Sequence, residues 1–443
     1  MNPYLPNTTA ERDAMLRAIG VDSFDELTAG IPPEIRNPAL TFPEPVSEME
    51  LVREIEQLAE KNTATSTHRS FLGAGTYEHY IPAVVPALAL RGEFFTAYTP
   101  YQAEASQGTL QVIYEYQSMM ARLSGLAVST ASHYDGATSL AESVLIALEQ
   151  TRRKKVVIAA AVHPEYRTVL KTYLSAQDVE IVEMAADCNG RCAGTAVDTI
   201  DKETACVVLQ SPNMFGIIED MSAVRPACDA AKALFILVAN PLSFAVVRSA
   251  GEWGAHIACG DAQVFGNPIS FGGPHLGYIT ATKEFMRKLP GRLAGMTVDH
   301  EGKRAFVLTL QAREQHIRRE RASSNICSNQ ALCALQACIY LAAVGERGLR
   351  RIAEINMQNL QYFKEKVKNV RGVELVFDAP QFNECVIRTK QPVADVITAG
   401  KKKGIFPGVP LERWYPELTN TLLVCITETK TKNDIDALVE SIK

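Results

Sequence analysis

From residue 151 onward the chain alternates short apolar runs with helix-length segments, and this alternation restricts the fold more than any other feature. Lys155 to Val162, Val179 to Glu183, Ala205 to Gln210, Ala233 to Val238 and Gly277 to Thr280 read as strands. Pro164 to Ser175 and Asp220 to Lys232 read as helices between them. The strands are apolar throughout rather than at alternate positions. Such strands need cover on both faces, which points to an α/β fold with a mostly parallel sheet between helical layers. Right-handed crossovers follow.

The rest of the chain divides around this block. Residues 1–60 read as a helical arm. Thr8 to Glu11, Ser23 to Glu26 and Ser47 to Glu50 each fit the capping box, and Val52, Ile55 and Leu58 follow at helical spacing. Residues 61–105 read as irregular chain, with a helix from Ser106 carrying Leu110, Ile113, Tyr114, Gln117, Met120 and Leu123 along one side. Beyond about residue 310 a long helix is expected through Gln330 to Ala343. A strand (Glu384 to Arg388), a helix (Val393 to Lys403), a strand (Thr421 to Ile426) and a last helix from Asn433 come after it. The expected domains are therefore an arm at 1–60, a large domain at 61–310 and a smaller α+β C-terminal domain at 311–443.

Bulk properties exclude some classes. A length of 443 residues suits a large domain plus a smaller one. The 45 basic and 50 acidic residues give a formal charge of -5, which leaves no footprint for nucleic acid or an anionic membrane. Ten cysteines are scattered, several in apolar runs such as Ala205 to Val208, as expected of buried thiols in a reducing compartment. Cys188 and Cys192 flank a turn, but a zinc site would want a second pair nearby and none is present. Met1 to Thr9 lacks the basic start and apolar stretch of a secretory signal. The longest apolar run, Ala233 to Val247, is interrupted by Asn240, Pro241 and Ser243. A cytoplasmic protein is expected.

Local motifs narrow the chemistry further. Gly73-Ala74-Gly75 would need a third glycine at Glu78 to bind a dinucleotide, and Pro82 stops a following helix. No phosphate-loop, HExxH or GxSxG pattern occurs. His68, His79, His133, His163 and His275 lie in loops or beside prolines, where a structural role is the plainer reading. The most unusual stretch is Gly260 to Gly277, whose glycines and prolines mark a close-packed backbone leading into a strand.

Several segments together carry a family resemblance. They are Phe71 to Gly75; Thr96 to Gln102 with Ser106-Gln107-Gly108; Tyr134 to Thr138; His163 to Arg167; Phe271 to His275; and Gln311 to Gln315 through Ser324-Asn325-Ile326. Nearly end to end, the chain resembles the P-protein of the glycine cleavage system, glycine dehydrogenase (decarboxylating), in its split two-gene form, and looks like subunit 1 (alpha). The resemblance implies a fold-type-I, aspartate-aminotransferase-like large domain of the pyridoxal-phosphate-dependent class, with a parallel-rich sheet and a smaller α+β C-terminal domain.

It also implies what is missing. In the family's cofactor-bearing subunit, a lysine five residues before the proline of the glycine-rich loop forms the Schiff base. Counting back from Pro268 reaches Gln263, whose amide nitrogen is not nucleophilic. The family also needs an aspartate at the end of an earlier strand to keep the pyridine nitrogen protonated. The matching stretch here, Leu237 to Asn240, has no carboxylate. Lys154, Lys155, Lys232 and Lys283 all read as solvated, outside any glycine-rich loop. No self-sufficient catalytic set is expected in this chain. The resemblance assigns pyridoxal phosphate to a beta partner subunit in an α2β2 assembly, with glycine as substrate and the lipoyl group of H-protein as acceptor. Tyr98, Tyr101, Ser106 and Gln107 are then expected to reach the partner's cofactor, the alternative being that the tyrosines only pack the interface. The basic run Arg313, Arg318, Arg319 and Arg321 is either a solvated helix face or a docking surface for acidic H-protein. Two rival functions remain at this point: a stand-alone pyridoxal-phosphate lyase or decarboxylase, and a structural or regulatory pseudo-enzyme.

Overall fold

The computed structural model of the chain describes residues 6–36, 38–39, 41–322, 324–326 and 328–443. Cys327 and the first five residues of the stretch read for a signal lie outside the described residues. Two compact units separate, Met1–Thr63 and Ala64–Lys443.

The first unit holds the helices Thr9–Ile19, Phe24–Leu27 and Glu48–Ala59. Full capping boxes form at Thr8 and Ser47, while Ser23 caps only the Glu26 amide. None of the three helices buries a residue.

The second unit is built on a seven-stranded sheet. Its strands are β1 (Val128–Ser129), β2 (Lys155–Ala159), β3 (Glu180–Met184), β4 (Thr204–Gln210), β5 (Leu234–Val238), β6 (Ile257–Asp261) and β7 (Gly277–Ala281). They lie in the order β1-β7-β6-β5-β4-β2-β3. From β3 to β6 all pairings are parallel, and β7 is antiparallel to both β6 and β1. No crossover helix lies in the connection from β6 to β7, so the chain can only return antiparallel there. Val156, Val157, Ile158, Val207, Val208, Phe235 and Ile236 are fully buried. Each such side chain contributes about 1.5–3 kcal/mol relative to exposure.

Other segments depart from the sequence reading. Ile257–Asp261 is a strand that was not anticipated, because Gly260 and Asp261 dilute its apolar signal. Residues 61–105, read as irregular, contain the short helices Val84–Ala89 and Gly92–Phe95. An unanticipated hairpin pairs Leu293–Val298 with Arg304–Thr309. The helix expected to end at Ala343 runs Ala331–Val367, kinked at Gly345 (φ 64°). By length and composition this helix could cross a membrane, yet Cys333, Ala334, Ala337, Cys338 and Tyr340 on its first half are buried in the core. Its second half supplies Leu360, Phe363 and Val367 to a separate core. That core covers a four-stranded antiparallel sheet ordered Val373–Leu375, Glu384–Thr389, Thr421–Cys425, Val409–Pro410.

Candidate functional site

In an open α/β sheet the ligand position lies outside the carboxyl ends of the parallel strands. Here β4, β5 and β6 end at Gln210, Val238 and Asp261, and these residues line a cavity of only about 30 Å³. That is room for about one water molecule, not for a substituted pyridine ring.

The segment Gly73 to Tyr77 is what fills the space, and it is fastened from three sides. From the sheet side comes Gln263, which is 2% exposed. Its Oε1 accepts from the Tyr77 amide at 3.1 Å, and its Nε2 donates to the Tyr77 carbonyl at 3.1 Å and the Asn267 carbonyl at 2.7 Å. The carboxamide thus pairs with a peptide unit as a neighbouring strand would. An ammonium group has donors only and could not accept from Tyr77. From the C-terminal sheet comes buried Glu384, whose carboxylate accepts from the Ala74 amide and the Tyr77 hydroxyl, both at 2.8 Å. Burial pushes Glu384 up to about 7, against the opposing effect of those two bonds. The third fastening is His163. Its Nδ1 accepts from the Glu165 amide at 3.2 Å, so the proton sits on Nε2, which donates to the Ala74 carbonyl at 2.8 Å. Burial lowers the His163 pKa and keeps the ring neutral. Gly73 leaves no space for a side chain: a Cβ there would stand 2.2 Å from Glu384 Oε1 and 2.7 Å from Cys425 Cβ.

The anion position of the fold is closed as well. A helix N-terminus such as that of Gly136–Thr151 attracts phosphate. Here Asp135 caps it by accepting from the Thr138 amide at 2.7 Å, and Asp261 accepts from the Gly136 amide at 3.2 Å. Asp261 is also held by the Gln263 amide at 2.9 Å and by His275 at 2.9 Å. Its hydrogen bond raises the His275 pKa. A phosphate would meet two carboxylates in that place. Pyridoxal phosphate therefore does not fit this chain's own site: there is no amine at 263, no carboxylate at 240, no room and no free anion position.

The four residues expected to face a partner fall in different settings. Tyr98 is 85% exposed. Tyr101 is half exposed, with its hydroxyl accepting from Arg292 Nη2 at 3.2 Å and its ring under the same guanidinium at 5.5 Å. Ser106 precedes the helix Gln107–Ser124 but makes no side-chain cap. Gln107 uses its carboxamide on main chain, bonding Ala103 at 2.7 Å and both the carbonyl and the amide of Phe306 at 2.8 Å. That ties the helix start to the hairpin. Of the basic run, Arg318, Arg319 and Arg321 are exposed, whereas Arg313 is half-buried and donates to the Leu289 carbonyl. Of the four lysines read as solvated, Lys155 is largely covered and pairs with Asp201 at 2.6 Å.

A family model described as "Glycine cleavage system P-protein" matches residues 2–442. The chain belongs to the glycine cleavage system P-protein family. Among curated relatives, a protein of Brevibacillus brevis named probable glycine dehydrogenase (decarboxylating) subunit 1 is 48% identical over 99% of this chain and 98% of its own. One of the same name from Moorella thermoacetica is 49% identical over 99% of both. A crystal structure of inhibitor-bound glycine decarboxylase (P-protein) superposes with TM-score 0.91 and 43% identity, covering 99% of both chains. A sphingosine-1-phosphate lyase of Burkholderia pseudomallei shares the fold alone, at TM-score 0.66 and 14% identity over 93% of this chain and 94% of its own.

Within this P-protein chain, sequence reasoning found the substitution at 263 but not what the carboxamide does, and it missed Tyr77 and Glu384 altogether. Glu384 opens a C-terminal strand 307 positions from Tyr77, and no local pattern links the two.

Proposed function

We propose that this chain is the alpha subunit of a two-subunit glycine dehydrogenase (decarboxylating), inactive alone and completed by a beta subunit. The carrying observation is the locked carboxamide of Gln263 in a chain so similar to proteins named subunit 1. The beta subunit binds pyridoxal phosphate covalently, and that cofactor supplies the electron sink when glycine loses CO2. The aminomethyl group passes to the lipoyl group of H-protein, and the assembly is α2β2 in the cytoplasm. This chain's own contribution is the surface around exposed Tyr98 and half-exposed Tyr101, whose hydroxyl is held by Arg292. Ser106 follows them at the start of the helix, and Gln107 ties that start to the hairpin through Phe306. We also propose a large domain to residue 310 and a small domain from 311. The closed cavity disfavours a stand-alone lyase.

The test mixes chain and partner and measures glycine–bicarbonate exchange against each alone. Activity in the mixture only is expected, and full activity of the partner alone would reject the proposal. A heteromer carrying Tyr98→Phe is expected to lose cofactor affinity or turnover; no change in either would remove Tyr98 from the site.

A further inference from the structure

A concentration of unmatched charge lies away from the closed site, in a groove of about 590 Å³. Eight cationic side chains and three carboxylates line it, although the whole chain is acidic at -5. Some of these cations are satisfied. Lys154 pairs with Asp178 at 2.8 Å, Lys288 pairs with Glu149 at 3.3 Å, and Arg153 donates to the carbonyls of Thr204 and Ala231 at 2.8 Å. The third carboxylate, Glu142, is buried under a hydrogen bond from Ser324 at 3.0 Å. Arg152, Arg287 and Arg318 line the groove and, among the described residues, have no carboxylate within salt-bridge distance. Arg313 is the fourth: its Nε and Nη2 are buried without a hydrogen-bond partner. Leu145, Leu148 and Val179 give the groove a half-buried apolar side.

We propose that this groove binds a small organic phosphate, its dianionic head among Arg152, Arg287, Arg313 and Arg318 and its apolar body over Leu145, Leu148 and Val179. A guanidinium offers paired N–H groups that match two oxygens of one phosphate, and Arg313 keeps two such groups unmatched. Those N–H groups lie beneath the surface, so a small oxyanion held by the exposed Arg152, Arg287 and Arg318 would meet them only once the Arg313 side chain turns into the groove, a depth that a protein laid across the groove mouth does not reach. The volume lies in the range of small-molecule sites, about 300–1,000 Å³. A cleft with a surplus of cationic side chains also raises the local concentration of anions. None of these residues belongs to the closed cavity, so the inference stands apart from the proposed activity.

The experiment titrates the full chain with inorganic pyrophosphate and with ADP by calorimetry at low and moderate salt. One saturable site is expected, weakened at least tenfold in Arg287→Gln and in Arg152→Gln and partly kept in Arg287→Lys. Arg152 and Arg287 are exposed, so circular dichroism should match the parent chain. No saturable binding of either probe, or equal affinity in the glutamine variants, overturns the proposal. So does the case in which neither probe binds while Arg287→Gln weakens saturation of the reconstituted enzyme by an acidic carrier protein, because the groove is then a protein-docking surface.

Discussion

At the scale of single residues, the change from an amine to a carboxamide at position 263 is more than the loss of a reactive group. Gln263 bonds both polar atoms of the Tyr77 peptide and the Asn267 carbonyl in a buried setting. Gln263→Ala would leave those groups unmatched and should lower stability by roughly 2–4 kcal/mol in urea unfolding. Restoring the lost chemistry should fail for the same reason. Gln263→Lys with Asn240→Asp is expected to give no absorbance above 400 nm with pyridoxal phosphate and no borohydride-stable adduct by mass spectrometry, since Gly73 to Tyr77 still fills the space; a stable adduct would refute the closure. Glu384 gives a pH signature. Its carboxyl rises from the ordinary 4.5 to about 7 in the fold, so the folded chain binds this proton more tightly than the unfolded one. The associated stability is full below the unfolded value and is lost as pH climbs through the folded one. The loss is about 3 kcal/mol at about 1.4 kcal/mol per tenfold in proton affinity. Glu384→Gln keeps the shape without the titration, so its stability relative to the parent chain should improve between pH 5 and pH 8. A gap that does not change with pH, read from thermal unfolding, would reject this account of Glu384.

Among elements, the close approach of β7 to the helix Gly136–Thr151 matters most. A Cβ on Gly277 would stand 2.2 Å from the Asp135 carbonyl and 2.5 Å from Ser139 Oγ. The nearest obstacle is backbone, which cannot swing aside, so Gly277→Ala should cost about 1–3 kcal/mol, read as a lower urea midpoint. The strands of residues 155–238 and the helices Pro164–Leu174 and Val224–Ala231 were legible from their own apolar runs or amphipathic spacing, whereas the short helix Ala193–Thr199 was not. The hairpin Leu293–Val298 with Arg304–Thr309 was not legible. Its members are short, half-exposed and held partly by Gln107, nearly 200 positions away. Nor did the sequence show that one helix would run from Ala331 to Val367: Gly345 kinks it without ending it, and Leu349 and Ala353 beyond the kink still pack in the core of Cys333 and Tyr340 before Leu360 enters the next.

Considering the whole molecule, the buried core belongs to residues 64–443, while the arm helices bury nothing. The sequence by itself determined the α/β class, the parallel-rich sheet and the small C-terminal sheet, because hydrophobic periodicity is written in consecutive residues. It also determined that position 263 carries no amine. Only the tertiary structure decided that the cofactor position is shut rather than merely unreactive. That closure depends on Tyr77, His163, Gln263 and Glu384 meeting across one small space. Contacts between residues so far apart in the chain follow from how packed layers bring strand ends together, which no local pattern of side chains encodes.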